Sequence, residues 1–113
     1  MSDKSYGLPA EALDRLLAIL CRDARIHKIW LYGSRALGRE KPGSDIDICL
    51  DAPLLGMKAL AMLEAQIDDL LLPWKVDLVF LHQITNPDLL AHIRRVGIDV
   101  LGRTAVASGK SKK

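Results

Sequence analysis

The sequence predicts one domain of the α/β or α+β class, a small β-sheet with flanking helices. Three observations predict it. Leucines recur at helical spacing in two separate stretches. Short apolar runs between and after them are rich in strand formers and are broken by Gly or Pro. The resulting order is helix, strand, strand, helix, strand, helix, strand, with no internal repeat and no linker. A length of 113 residues suits a single core, and such a chain buries roughly two-thirds of the surface it exposes when unfolded. Half of the residues are hydrophobic but only five are aromatic, so the core falls to Leu, Ile, Val and Ala.

Residues 1–7 form a polar, frayed end, and the domain itself runs from 8 to 103. Pro9 suits a first helical turn, and Leu13, Leu16, Leu17 and Leu20 make one stripe, giving a helix from Pro9 to Ala24 with Glu11 near its positive end. Ile29-Trp30-Leu31-Tyr32 is a buried strand ending at Gly33. Ser34 to Arg39 make a helical turn, and Lys41-Pro42-Gly43-Ser44 a loop turn. Asp45 to Leu50 alternate with the period of a strand. A second helix covers Met57 to Leu71, with Leu60, Leu63, Ile67, Leu70 and Leu71 on one side, until Pro73 stops it. Val76 to Leu81 form a third strand, apolar apart from Asp77. Pro87 and Asp88 open a last helix through Arg95, and Ile98 to Leu101 add a short strand. The Ser/Gly/Lys-rich residues 104–113 read as a flexible end.

Composition excludes several classes. The apolar content argues against disorder. No uncharged run approaches the roughly 18 residues of a membrane span, and the start lacks a signal peptide's apolar stretch, so the expected location is the cytoplasm, with no membrane partner. Cys21 and Cys49 stand 28 residues apart with no Cys/His cluster, which speaks against a disulfide scaffold or structural zinc. The net charge of +2 invites a nucleic-acid reading, but its distribution withdraws it. Without Lys110, Lys112 and Lys113, 13 cationic side chains stand against 14 carboxylates, so residues 1–109 carry −1. Direct nucleic-acid binding is not expected.

The chemistry lies in two segments. Asp45 and Asp47 are two apart on one strand and leave the same face of the sheet; Asp77 interrupts an apolar strand in the same way. Carboxylates gathered on one face repel unless a cation intervenes. With no nitrogen or sulfur ligand beside them, that cation is hard: Mg²⁺, or Mn²⁺ in its place. Two such ions about 4 Å apart clamp an in-line phosphoryl displacement. Upstream, Gly33 lets backbone approach an anion, the amides of the following turn can bind it, and the Ser34 hydroxyl can donate to a phosphate oxygen. Arg35, Arg39 and Lys41 add positive charge. Alone, a Gly-Ser pair is usually a turn, a D-x-D usually a strand end, and Asp77 reads equally as a buried acid held by backbone amides. Together they describe a triphosphate held beside metals.

GSRALGREKPGSDIDICL resembles the signature of the DNA polymerase beta-like nucleotidyltransferase superfamily, whose minimal members place ten residues between Gly-Ser and Asp-x-Asp. Here ten residues, Arg35 to Ser44, separate Gly33-Ser34 from Asp45-Ile46-Asp47. PWKVDLVFL resembles the strand bearing the third carboxylate, at Asp77, and LLAHIRRVGIDVL the closing helix and strand of minimal nucleotidyltransferase (MNT) domains. The resemblance implies a mixed β-sheet palm carrying helices, with Asp45, Asp47 and Asp77 as catalytic and Mg²⁺-binding residues and two ions held. It implies nucleotide binding by Gly33, Ser34, Arg35 and Ser44, and ATP as substrate. It implies transfer of a nucleoside monophosphate, most often AMP, to a hydroxyl, with Asp77 taking the proton.

MNT domains of this kind commonly pair with a small all-helical HEPN-type toxin from an adjacent gene and act as antitoxins by adenylylating a tyrosine. A core this short has no acceptor pocket of its own, which fits such pairing. Two alternatives stay open: modification of a small molecule bound by a helical partner, and neutralisation of a toxin by contact without catalysis. The remaining polar residues read as structural. Asp51 shares the parity of Asp45 and Asp47 but reads as a turn or cap ahead of a metal ligand. His27, His82 and His92 read as surface positions, with His82, just past the Asp77 strand, the one to check for nearness to substrate, and Cys49 is a core thiol or a neighbour of the site. Asp68-Asp69 face solvent, Arg94-Arg95 face solvent ahead of a partner, and Trp30 and Trp74 pack or form partner surface. Ser108-Gly109-Lys110-Ser111 resembles a P-loop but lacks its earlier Gly and any room for the helix that must follow.

Overall fold

Alternation along one central strand organises the molecule. The computed structural model describes residues 4–100. Its elements are β1 (Lys4–Ser5), β2 (Leu8–Pro9), α1 (Ala10–Leu20), β3 (Lys28–Tyr32), β4 (Ile46–Asp51), α2 (Met57–Asp68), β5 (Val76–Phe80), a 3₁₀ turn (Leu81–Gln83), α3 (Pro87–Val96) and β6 (Ile98–Asp99). The main sheet has the order β5-β4-β3-β6. β4 runs parallel to β5 and antiparallel to β3, and β6 is antiparallel to β3. The sheet is therefore mixed, as the resemblance implies. A parallel pair needs a crossover, and α2 supplies it between β4 and β5.

On β4, Ile46, Ile48 and Leu50 are fully buried. They align with Leu31 and Ile29 of β3 and with Val76, Leu78 and Phe80 of β5. This face carries the larger core, closed by Leu13, Leu16, Leu17 and Leu20 of α1 and Leu60, Leu63 and Ile67 of α2. The opposite face holds a smaller cluster, with Tyr32 and Cys49 under Ile93 of α3. The period of 2 thus sorts each strand into a core face and a face shared by α3 and polar residues.

Helix ends depart from expectation for local reasons. α1 stops at Leu20 rather than Ala24 because the Asp23 carboxylate accepts the Arg25 N–H at 2.9 Å and also pairs with its guanidinium, building a turn that competes with further helix. α2 stops at Asp68. Leu70 and Leu71 donate to Ile67 and Asp68, three residues back, and Leu71 turns left-handed at φ 55°. Leu71 is consequently 86% exposed, a correction to the stripe that included it. α3 begins where expected, since Asn86 Oδ1 accepts from the N–H groups of Asp88 and Leu89 and Pro87 opens the first turn. β5 ends at Phe80, one residue early, where the 3₁₀ turn takes over; Leu101 and residues 104–113 lie outside the described residues.

Residues 4–7 are paired where a frayed end was expected. β1 and β2 form an antiparallel hairpin, Lys4 opposite Pro9 and Ser5 opposite Leu8, around Tyr6 and Gly7, both at positive φ. That is the handedness a two-residue hairpin prefers, and it delivers Leu8 into the core at 0% exposure. Replacing Leu8 by Ala should cost about 2–5 kcal/mol, whereas Leu71→Gly should stabilise by about 0.5–1 kcal/mol because Gly tolerates the left-handed backbone. Chemical denaturation midpoints of the two variants check both signs.

Candidate active site

Strand register brings the acidic residues together. Tyr32 of β3 stands opposite Asp47 of β4, and Asp47 stands beside Asp77 of β5, so one row crosses three strands on the α3 side of the sheet. Asp45 lies one residue before β4 rather than on it, and is exposed. Asp47 is half-buried and Asp77 is exposed on the edge strand. Burial, then the negative charges of Asp77 and Asp45, hold the Asp47 carboxyl above its ordinary range, against the opposing pull of Arg35. Burial, followed by the same Asp47 and Asp77 charges, also pushes the Tyr32 hydroxyl up.

Gly33 follows Tyr32 directly and has φ 77°. A Cβ at this position would collide with the Asp47 carboxylate, so both the backbone angle and the space demand glycine. The turn after it closes through Leu37 N–H to the Gly33 carbonyl at 3.2 Å and Arg39 N–H to the Ser34 carbonyl at 2.8 Å. Among the described residues, the N–H groups of Ser34, Arg35 and Ala36 have no acceptor in these bonds. They leave a row of open donors next to Asp47, the arrangement that suits an anion.

Arg35 and Ser44, expected as nucleotide contacts, both bond within the loop. Arg35 is 2% exposed, and its guanidinium donates to the carbonyls of Tyr6 at 3.0 Å, Ser44 at 2.7 Å and Asp45 at 3.3 Å, while its Cζ lies 5.8 Å from the Trp74 ring centroid. It reaches the site only through its field on Asp47. Ser44 accepts the Lys41 N–H on its hydroxyl at 2.8 Å and closes the turn before β4. Arg35 faces inward, where its guanidinium supplies donors to three loop carbonyls. Arg39 and Lys41 remain exposed.

His92 was read as a surface position, yet its Nε2 accepts the Gly33 N–H at 3.3 Å and its ring meets Tyr32 edge-on, 6.1 Å between centroids. No local spacing could have found it, because α3 and Gly33 meet only through tertiary packing. His82 is exposed and stacks on Phe80 at 5.4 Å, away from the carboxylate row. Cys49 is buried, and burial followed by the Asp51 charge pushes its thiol up to about 12, which makes it a core residue and no nucleophile. Asp51 closes the far end of β4, its carbonyl accepting from His27 N–H.

The donor set suits a hard divalent cation, with oxygen ligands only and one carboxyl raised by its neighbours' charges. Among the described residues, no three His, Cys, Asp or Glu side chains are already gathered as a ligand set. A cavity of about 420 Å³, lined by Ile19, Arg22, Met62 and Gln66, sits between α1 and α2 and contains none of Asp45, Asp47 and Asp77. No helix among the described residues is long and apolar enough to cross a membrane.

The family "Polymerase beta, Nucleotidyltransferase" matches residues 14–105. The fold is similar to a chain of a toxin–antitoxin complex crystallised with AMP-PNP, with a TM-score of 0.62 and 21% identity over 89% of this chain and 92% of that one. It is similar to a chain of the MntA–HepT toxin–antitoxin complex, at TM-score 0.61 and 18% identity over 90% and 93%. A third likeness is to a complex of tri-AMPylated Shewanella oneidensis HEPN toxin with MNT antitoxin, at TM-score 0.61 and 18% identity over 90% and 92%. No curated protein sequence matches the chain.

The Asp47 environment makes a pH-dependent prediction. Because folding raises this carboxyl above its ordinary value of 3.8, the penalty on its charged form is absent below that value and complete once pH exceeds the folded pKa. Asp47→Asn should therefore raise the melting temperature at pH 7 and leave it nearly unchanged at pH 3. Equal shifts at both pH values would contradict the electrostatic account.

Proposed function

Because the chain belongs to the polymerase beta nucleotidyltransferase family, matched over residues 14–105, we propose that it transfers AMP from ATP to a hydroxyl of a partner protein. The observation that carries the reading is the Asp47–Asp77 register beside a Gly33–Ser34 turn whose early amides are open. Those amides and the Ser34 hydroxyl bind triphosphate oxygens. Asp45, Asp47 and Asp77 are the residues that would hold Mg²⁺, as two ions. When bound, magnesium neutralises charge on the phosphates.

The chain's own residues then act by placement. The turn orients the α-phosphate, and Asp77, exposed on the edge strand, takes the proton of the approaching hydroxyl. The hydroxyl oxygen forms a bond to the α-phosphorus, the bond to the bridging oxygen breaks, and pyrophosphate leaves. No residue need be modified covalently.

Exposed Asp45 and Asp77 suit a large acceptor, and in this reading a second protein brings the hydroxyl and excludes water. A HEPN-type helical toxin in the cytoplasm, modified on tyrosine, is the partner this reading favours, with the chain as its antitoxin. Its support is the likeness to chains of toxin–antitoxin complexes, one containing AMPylated toxin.

Incubating the protein with ATP, Mg²⁺ and its HEPN-type partner should add the mass of AMP to the partner. Asp45→Asn combined with Asp47→Asn should lower that transfer about 100-fold or more, with chelation of divalent metal acting alike. Toxin neutralisation that survives in this double variant, with no added mass in the wild type, would instead establish a binding antitoxin.

A further inference from the structure

The Gly33 amide is already engaged by the chain itself. Its N–H reaches His92 Nε2 across 59 residues of sequence. Nε2 is the accepting atom in this contact. The edge-on contact with Tyr32 seats the same ring against the last residue of β3. Ile93, the next residue of α3, is 3% exposed in the cluster with Tyr32 and Cys49, and Asn86 caps the helix. The acceptor is thus carried on a docked element.

The hydrogen bond acts on the peptide that joins Tyr32 to Gly33. Glycine rotates more freely than any other residue, and at Gly33 the space a side chain would use is taken by the Asp47 carboxylate. Nothing on Gly33 itself can therefore fix the direction in which the turn leaves the strand. An outside acceptor can.

We propose that His92 is a positioning residue for nucleotide binding: by accepting the Gly33 N–H it fixes the Tyr32–Gly33 peptide and aims the amides of Ser34 to Ala36 at the triphosphate. The inference rests on the transferase reading of the site and deepens it. His92 acts through backbone rather than on reacting atoms, so its loss falls on nucleotide affinity and spares the chemical step.

The test compares His92→Ala with His92→Gln, whose amide oxygen reaches close to the Nε2 position and keeps an acceptor there. Hydrogen exchange at the Gly33 amide, read by NMR in the nucleotide-free protein, should quicken about tenfold in H92A and stay near wild type in H92Q. The KM for ATP in partner modification should rise about tenfold in H92A with kcat within about twofold, and H92Q should recover it. If H92A does not fold, His92→Asn, one methylene shorter than Gln, removes the acceptor while keeping a polar side chain. Unchanged Gly33 exchange, unchanged KM, or a loss that Gln fails to restore overturns the proposal. A wild-type protein that binds no ATP overturns the transferase reading and this role with it, while the exchange result still reports separately whether the tie exists.

Discussion

A guanidinium with 2% exposure needs acceptors, and Arg35 finds three in the carbonyls of Tyr6, Ser44 and Asp45. No carboxylate pairs with it among these bonds; carbonyl dipoles carry the compensation. The geometry links three separate parts of the chain. Tyr6 belongs to the N-terminal hairpin, Arg35 to the turn after β3, and Ser44 and Asp45 to the loop that enters β4. Without this tie, the residues that flank the carboxylate row would hang from independent loops. A lysine could not replace it, since a single ammonium lacks the planar fork that reaches carbonyls on several sides.

The site beside this brace is arranged around repulsion. Asp47 shares its row with Asp77 and lies near Asp45, and its raised carboxyl reports that crowding together with partial burial. Arg35 relieves it in part. Structure alone gains little from such a cluster, whereas a site that must attract positive charge gains much. Gly33 lets the turn with its open amides stand directly against the same carboxylate. Open donors and crowded carboxylates thus meet within a single strand end.

Much of this was legible in residues alone. The alternation from Asp45 to Leu50 marks a strand with a polar face, and four leucines at helical spacing mark α1. Both signals come from periodicity, which burial imposes on any sequence. The N-terminal hairpin was not legible, because two-residue strands carry no period and Tyr6-Gly7 is no common turn pair. Leu71 misled because apolar character continues past the point where the backbone turns left-handed. Arg35 misled for a different reason: a cation next to a phosphate-binding pattern looks the same whether it points outward or inward.

By itself the sequence determined the class of fold, the family and the chemical types at the site, since periodicity, glycine and carboxylate spacing are local properties. Tertiary structure decided which of those residues meet. Register made Asp47 and Asp77 neighbours, packing of α3 brought His92 to Gly33, and burial turned Arg35 from a phosphate ligand into a brace. The physical reason is common to all three. Each depends on contacts between residues tens of positions apart, and no local pattern encodes the direction a side chain takes once the sheet has closed.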